Sequence, residues 1–256
     1  MSSSNTIQSI DRALSILEFL YRHGHEASIS EISAATNLFG STIHRILRTL
    51  KEHGYVYQNQ KTSKYWLGMR FYALGNAVKE NMPLVSIIEP LADIVARKYG
   101  ETVYVAVPSF LSPRQAQQAL ILKISYSTFI LRTSPNVGAV TLAHGSATGK
   151  CMMAYYSEAL LETYRQYPLV QQTEKTITDW DVMLKELRKI RQNGYAIDRE
   201  EEETGLTCVA VPIIDSRGSI IAAISLSGPT HRMSEFAVED ILADLKHVSS
   251  QINTYI

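Results

Sequence analysis

Residues 28–50 read SISEISAATNLFGSTIHRILRTL, and this stretch decides the fold of the N-terminal part of the chain. Ser28 and Glu31 stand at the spacing of a capping box, which predicts a short helix beginning after Ser28. Residues 37–40 have turn chemistry, and a second helix is expected from Ser41. Its apolar residues recur at helical spacing and form one stripe: Ile43, Ile46, Leu47 and Leu50.

A longer helix precedes this stretch and a hairpin follows it. Residues 7–23 have apolar side chains at a spacing of three and four, with Ser9 as the expected N-cap and Gly24 as the stop. Residues 55–58 and 64–67 alternate around a polar tip, a pattern typical of two short paired strands. The order helix, helix, turn, helix, hairpin predicts a winged helix-turn-helix.

The rest of the chain mixes helices and strands without a βαβ rhythm. Residues 70–99 have a helical pattern that Pro83 and Pro90 interrupt. The alternation predicts strands over 101–109, 119–125, 128–133, 208–214 and 219–227, with a hairpin turn at 215–218. Helices are expected over 149–156, 157–167, 179–193 and 235–254. We expect an α+β chain with the winged helix-turn-helix domain at 1–75 and, over 76–256, a linker helix and a domain with an antiparallel sheet.

Composition excludes several classes of protein. The chain has 256 residues, 45% of them hydrophobic and 20% charged, which is typical of a globular protein rather than a disordered one. No apolar run approaches the roughly 20 residues that a membrane span needs, so no membrane partner is expected. Two cysteines are too few for a disulfide framework. The N-terminus has no secretory pattern, and a reduced, cytoplasmic protein is expected.

The formal net charge of zero conceals an asymmetry between the two parts of the chain. Residues 1–75 hold eight Lys and Arg against five Asp and Glu, a balance of +3, while the remainder has a balance of −3. Within 40–70 the count is six basic residues to one acidic residue. Such a distribution favours an anionic partner for the N-terminal part.

The helix that begins at Ser41 has the chemistry of a DNA recognition helix. Short hydroxyl side chains stand at its N-terminal end and basic residues follow, away from the apolar stripe. These candidates are Ser41, Thr42, His44, Arg45, Arg48 and Lys51, and the hairpin adds Lys61 and Lys64. A solvated helix face with a basic loop is the plainer alternative. The complete winged order favours double-stranded operator DNA.

Several segments together resemble the isocitrate lyase regulator (IclR) family of bacterial transcription factors. In the N-terminal domain they are 10–14, 29–35, 41–45, 54–56 and 65–68. A second group fits the family signature: Gly194, Asp198, Glu201, Cys208, Val209, Ala210, Ile213, Ile214 and Asp215. Residues 144–150 and 225–229 resemble its effector domain. One departure lies at Phe39–Gly40, where relatives usually carry a proline and a basic residue, which puts a phosphate contact at 40 in doubt.

The resemblance implies a GAF-like effector-binding domain and a repressor or activator controlled by a small molecule. The effector would lie between the loop before the first effector-domain helix and the ends of the last two strands. The residues implied by the resemblance are Ala147, Thr148, Cys208, Ser225 and Ser227, with Ile130 and Thr141 as the wall. Paired half-sites need two-fold symmetry, which predicts a homodimer, and the resemblance implies a homotetramer, a dimer of dimers, as the alternative. The first helix and the linker helix, with Phe71, Leu74 and Val78, are candidate dimer surfaces.

The chemistry of these candidate residues favours a small organic acid. Backbone N–H groups of Ala147 and Thr148, serine hydroxyls and a thiol are donors, and no fixed cation is obvious among them. A carboxylate can accept several such donors at once. Aromatic residues near the expected strands, namely Tyr104, Tyr126 and Phe129, leave an aromatic acid open.

Two other functions are weighed against a ligand-responsive regulator: an enzyme that acts on a metabolite, and a DNA-binding architectural protein without an effector. Cys151 or Cys208 with His144 could form a nucleophile and base, but nothing places a carboxylate beside them. These three residues and His231 could together bind a metal, but their positions lack the close sequence spacing that is typical of metal ligands. Residues 200–203 are four consecutive Glu residues, a charge run expected in solvent. No catalytic residue, metal or cofactor is therefore expected.

Overall fold

The computed structural model describes residues 7–109 and 118–253. The chain divides into two compact units, Met1–Met82 and Pro83–Ile256. The N-terminal unit contains the helices α1 (Gln8–His23), α2 (Ile29–Thr36), α3 (Gly40–Glu52) and α4 (Arg70–Glu80), with the hairpin strands β1 (Val56–Gln58) and β2 (Tyr65–Leu67) between α3 and α4.

The N-terminal unit is the winged helix-turn-helix that the sequence predicts. Its core is a small apolar cluster from the three helices and the hairpin, comprising Ile16, Leu20, Ala27, Ile32, Ile43, Leu47, Val56 and Tyr65. The strands β1 and β2 pair antiparallel, with Tyr57 opposite Trp66. An isolated bridge between Ala27 and Tyr65 joins the hairpin to the segment before α2.

The ends of these helices confirm two expectations and correct a third. The Ser28 side chain accepts from the Glu31 N–H, and the Glu31 carboxylate accepts from the Ser28 N–H, which completes the capping box. Gly24 ends α1 with a φ of 77°, a left-handed conformation that favours glycine. The prediction of Ser9 as N-cap is wrong: Ile7 is the N-cap, without a side-chain cap bond, and Ser9 lies in the first turn.

The C-terminal unit is an antiparallel sheet between helices. Its helices are α5 (Pro83–Tyr99), α6 (Ala147–Met153), α7 (Glu158–Arg165), α8 (Trp180–Asn193), α9 (Thr230–Met233) and α10 (Val238–Asn253). Its strands are β3 (Thr102–Pro108), β4 (Gln118–Ser125), β5 (Val140–Leu142), β6 (Ala196–Arg199), β7 (Leu206–Ile214) and β8 (Ile220–Pro229). The strand order is β5-β4-β3-β8-β7-β6, antiparallel throughout. In the described residues no helix has the length and apolar character required to cross a membrane.

The two faces of the sheet carry different chemistry because side chains alternate along each strand. On one face, Ile224 and Leu226 of β8 belong to a large apolar cluster with residues of α5 and α10. On the other face, Ala223 packs in a cluster of mostly small residues from α6, α8 and the strands. Ser225 and Ser227 follow Ala223 on this second face, and the small side chains around them leave space.

Three expectations about the C-terminal unit are corrected. Residues 128–133 form no strand. Their segment is held by individual bonds: Thr128 N donates to the Gly100 carbonyl, and Arg132 donates to the carbonyl of Ser127. The short strands β5 and β6, outside the predicted strands, complete the two edges of the sheet. The helix expected over 235–254 begins at Val238, after the separate short helix α9.

Candidate functional site

The exposed face of α3 carries most of the residues predicted to contact DNA. Ile43 and Leu47 are fully buried and fix which side of the helix faces the core. The exposed side chains on the opposite side are Ser41, His44, Arg45, Arg48 and Lys51, while Thr42 is half-buried. Lys51 Nζ donates to Gln58 Oε1 at 3.1 Å. Arg48 Nε lies 3.9 Å from Glu52 Oε1, a long and exposed contact that leaves the guanidinium accessible.

Two acidic residues hold the wing: Glu26 in the loop between α1 and α2, and Glu31 of α2. Glu26 accepts from Asn59 Nδ2 at 2.9 Å and from the hydroxyls of Tyr57 and Thr62. The hydrogen bond from Asn59 is the largest cause that lowers the pKa of Glu26 below its ordinary value. Lys64 Nζ lies 3.4 Å from Glu31 Oε2. The structure therefore leaves Lys61 exposed at the tip and half-buries Lys64 beside the α2 capping box.

A cavity of about 240 Å³ lies in the C-terminal unit beside the sheet. Its lining comes from β3, β4, β5, β7 and β8, from the start of α6, from Thr133 and Pro135, and from the segment after β6. The volume is below the roughly 300–1,000 Å³ that is usual for drug-sized ligands. The cavity therefore suits a small organic molecule.

Strand pairing brings Ser225 and Ser227 to the cavity wall. Ser225 lies opposite Tyr104 of β3 and Ala210 of β7, and Ser227 lies opposite Cys208 of β7. The two serine Oγ atoms are 3.3 Å apart. Both serine side chains and Cys208 are buried. The three groups thus form a small polar cluster on the cavity side of the sheet.

The start of α6 supplies the facing wall. Ser146 is its N-cap, and the hydroxyl accepts from Gly149 N at 3.2 Å. Thr141 Oγ1 of β5 lies 3.4 Å from Ser146 Oγ. The helix lies close to the preceding chain because Gly149 has no Cβ; an added Cβ would come within 2.2 Å of the Ala143 carbonyl oxygen. This close approach positions Ala147 and Thr148 at the cavity.

Six of the seven predicted effector contacts line this one cavity, namely Thr141, Ala147, Thr148, Cys208, Ser225 and Ser227. Ile130 does not, and its assignment to the wall is corrected. Its side chain is fully exposed, because residues 128–133 form a surface loop instead of a strand. Sequence reasoning did not include several lining residues, among them Thr133, Ser146, Glu202 and Glu203.

The acidic run 200–203 is not uniformly solvated, which corrects another expectation. Glu201 is buried and pairs with the fully buried Lys150, whose Nζ lies 2.5 Å from Glu201 Oε1. Lys150 Nζ also donates to the Ile197 carbonyl at 2.9 Å. Glu202 is half-buried in the cavity wall, whereas Glu203 is exposed at its edge. The only signal for these differences was the family signature, which includes Glu201.

Two carboxyl groups are shifted toward their neutral form: Asp198 of β6 and Glu202, of which Glu202 lines the cavity. Burial is the main cause that raises the pKa of Asp198 to about 6, and its Oδ1 accepts from the Glu201 N–H at 2.6 Å. Burial likewise raises the pKa of Glu202 to about 7, with further contributions from the charges of Asp198 and Glu203. Among the described residues that line the cavity there is no Lys, Arg or His.

The cysteines and His144 are arranged as buried structural groups. Cys151 Sγ donates to the Ala210 carbonyl at 3.4 Å, and burial raises the pKa of its thiol to about 12. The pKa of Cys208 is raised well above its ordinary value by burial. His144 Nε2 lies 2.8 Å from the Val170 carbonyl. Within residues 7–109 and 118–253, no group of three or more His, Cys, Asp or Glu side chains could hold a metal ion.

Two family models match the chain in its two parts. The IclR helix-turn-helix domain matches residues 9–60, and the bacterial transcriptional regulator IclR C-terminal domain matches residues 76–254. Together they include α3 and every residue that lines the cavity. The second match alone spans more than half of the chain.

Similar proteins agree with these matches. The chain is 32% identical to the HTH-type transcriptional repressor AllR of Escherichia coli K12 over 229 residues, covering 89% of this chain and 82% of the repressor. The IclR structure of Thermotoga maritima has 26% identity and a TM-score of 0.73 over 98% of this chain and 99% of that one. An IclR homolog from Microbacterium hydrocarbonoxydans, complexed with 4-hydroxybenzoate, has 24% identity and a TM-score of 0.83, covering 96% and 98%. The chain therefore belongs to the IclR family of bacterial transcriptional regulators and is a DNA-binding regulator with a C-terminal effector-binding domain.

Proposed function

We propose that the chain binds double-stranded operator DNA with α3 and the wing, and that a small organic acid in the cavity changes this binding. The observation that carries the proposal is the convergence of six predicted effector contacts, from β5, α6, β7 and β8, on one small cavity. A regulator of this kind acts by binding rather than by catalysis, and it works in the cytoplasm, where its operator is.

The DNA contacts follow from the position of each side chain on α3 and the wing. Ser41, His44 and Arg45 would reach base edges and phosphates from the N-terminal half of the helix, which is the end that enters the major groove. Thr42 would add a hydroxyl contact at the same end, and Arg48 and Lys51 would add contacts further along the helix. Lys61 and Lys64 would contact the DNA backbone or the minor groove from the wing.

The effector would be small because the cavity is small. Hydroxyls of Ser225, Ser227 and Thr141 can donate to a carboxylate, as can the backbone N–H groups of Ala147 and Thr148. Cys208 would pack beside the ligand as a neutral thiol. The aromatic acid bound by the Microbacterium relative supports an aromatic acid as one option, and Tyr104 in the cavity lining would contact its ring.

We also propose a symmetric assembly, since paired operator half-sites need a two-fold arrangement of winged helices. The exposed apolar side chains Ile10 and Leu14 of α1 and Leu74 and Val78 of α4 are the candidate dimer surface. Two such dimers would pair through their effector-binding domains. For an effector to change DNA affinity, it must bind one arrangement of the assembly more tightly than another.

The experiment is a DNA-binding titration followed by fluorescence anisotropy, with duplex fragments from the DNA next to the gene. It is repeated with propionate, pyruvate and 4-hydroxybenzoate, and calorimetry measures the binding of each acid to the protein alone. We expect at least one acid to bind and to shift the DNA affinity. Ser225→Ala with Ser227→Ala should weaken that acid at least tenfold. Thr207→Ser, a change outside the cavity lining, is the matched control.

Failure of all three acids to bind, while a neutral or cationic metabolite does bind, would refute the organic-acid proposal. If the variant with both Ser225→Ala and Ser227→Ala still binds the acid tightly, the effector site lies elsewhere in the protein. Light scattering at micromolar concentration tests the assembly, and a monomer there would refute it.

A further inference from the structure

We propose that Glu202 sets the charge state of the effector complex: its carboxylate takes up one proton from solvent when an organic acid binds, and the neutral carboxyl then donates a hydrogen bond to the acid. This inference rests on the proposed organic-acid effector. The proton becomes bonded to a Glu202 oxygen, and the bound acid stays ionised, so the complex gains no net negative charge beyond that of the free protein.

The charged side chains that line the cavity are acidic. Its lining contains two acidic side chains, Glu202 and Glu203, and no cationic residue among the described residues. Glu203 is exposed, so water screens its charge, whereas Glu202 is half-buried in the wall. An anion that enters this space would lie beside a poorly solvated carboxylate. Repulsion between the two negative charges then raises the free energy of the state in which both are ionised.

The nearby cations are already used elsewhere. Lys150 of α6 donates to both carboxylate oxygens of Glu201 and to the Ile197 carbonyl, which engages the whole ammonium group. Arg232 of α9 pairs with buried Glu101 and donates to the Leu131 carbonyl at 2.9 Å. Arg132, next to the lining residue Thr133, donates to the Ser127 carbonyl and lies over the Tyr126 ring, and it is not among the lining residues. A proton is therefore the neutralising charge that the cavity can take up without rearranging these contacts.

The titratable groups that face Glu202 come from three strands and from its own segment. Burial is the main cause that raises the pKa of Glu202 to about 7, and the negative charges of Asp198 of β6 and of Glu203 raise it further. Cys208 of β7 and Tyr104 of β3 both have pKa values raised above their ordinary range, chiefly by burial, so both are neutral near pH 7. The pKa of Glu202 is therefore close to neutral pH before any ligand binds.

The sign of the pH dependence follows from linkage. A bound anion raises the pKa of Glu202 further, so the complex holds a proton that the free protein loses above pH 7. Acid affinity should be greatest below pH 7 and should fall by about tenfold per pH unit above it, until the pKa of the complex is reached.

The experiment is calorimetry of propionate, pyruvate and 4-hydroxybenzoate with the full-length protein at pH 6.0, 7.0, 8.0 and 8.5. At pH 8.0 it is repeated in two buffers that differ in ionisation enthalpy, which counts the protons taken up. We expect uptake approaching one proton per site for the acid that binds. Glu202→Gln should remove both the uptake and most of the pH dependence, and should bind at pH 8.0 about as tightly as the unmodified chain binds at pH 6.0.

Two variants make the assignment specific. Glu200→Gln changes a residue of the same acidic run that pairs with Lys175 outside the cavity, and it should keep the proton uptake. Asp198→Asn tests the other shifted carboxyl group and should also keep it. Uptake that survives Glu202→Gln and disappears in Asp198→Asn would overturn the assignment to Glu202.

The experiment distinguishes failure of the Glu202 assignment from failure of the organic-acid effector. Acid binding with no proton uptake and a flat pH profile would overturn the role of Glu202 and leave the organic-acid effector intact. If none of the three acids binds even at pH 6.0, where Glu202 is mostly protonated, the organic-acid proposal fails and this inference fails with it.

Discussion

The ammonium group of Lys150 and the carboxylate of Glu201 form a buried pair in which Nζ lies 2.5 Å from Oε1 and 2.7 Å from Oε2. The pair joins α6 to the segment after β6, so it links two walls of the cavity. Because Ile197 supplies a third acceptor, every N–H of the ammonium group has a partner.

We predict that Lys150→Met destabilises the C-terminal unit by about 3–5 kcal/mol, since it leaves a buried carboxylate without its cation. Urea unfolding of the full-length chain, followed by circular dichroism, measures the change in the free energy of unfolding. The double variant Lys150→Met with Glu201→Leu should recover most of the loss. If Lys150→Met alone is as stable as the unmodified chain, the Lys150–Glu201 pair does not contribute to the free energy of unfolding.

Arg45 tests the DNA-reading face of α3. We predict that Arg45→Ala weakens operator binding and, if the guanidinium contacts a phosphate, lowers the slope of log K against log salt by about 1. Anisotropy titrations over a range of salt concentrations give both quantities. Arg22→Ala is the matched control, because Arg22 is exposed on α1 and pairs with Glu18. Equal effects of the two substitutions would argue against α3 as the reader.

The capping box of α2 should make the N-terminal unit sensitive to acid. Its hydrogen bonds to Ser28, backbone first, lower the pKa of Glu31 to about 2 from 4.5. The stabilising contribution is therefore present above pH 4.5 and is lost as the pH falls toward 2. We predict that Glu31→Gln makes the decline in melting temperature shallower across that window. Parallel declines for both proteins, each referenced to pH 7, would contradict the prediction.

Two glycines in helices should respond to alanine in opposite directions. At Gly149 an added Cβ would come within 2.2 Å of the Ala143 carbonyl oxygen, so Gly149→Ala must displace α6 and weaken both stability and effector binding. At Gly75 of α4 nothing lies within 4 Å of an added Cβ, so Gly75→Ala should stabilise the chain by about 0.5–1 kcal/mol. Thermal melts of both variants test the contrast, and a harmless Gly149→Ala would refute the close packing.

Local chemistry was enough to predict much of this architecture. The capping box at Ser28 and the apolar stripe of α3 are satisfied within a few residues, so they can be recognised in the sequence. Period two correctly placed Ser225 and Ser227 on one face of β8. The cavity assignment needed the family resemblance, because nothing local in Cys208 or Thr148 distinguishes a ligand contact from a core residue.

Long-range contacts explain the failures. Residues 128–133 alternate like a strand, but β4 pairs with β5 instead, and bonds from Arg132 and Arg232 hold the loop away from the sheet. Glu201 and Glu202 are adjacent and chemically alike, yet Glu201 pairs with Lys150, 51 residues earlier in the chain, whereas Glu202 lines the cavity. Only the fold separates their environments.

The alternation along β8 also limits how such a regulator can evolve. Ser225 and Ser227 face the cavity while Ile224 and Leu226 face the core, so one strand serves ligand recognition and folding with interleaved residues. A new effector specificity can arise by substituting Ser225 or Ser227 without changing Ile224 and Leu226, which pack in the core. Insertion or deletion of a single residue within the strand would exchange the two sets, and selection would remove such variants before any new ligand could be tried.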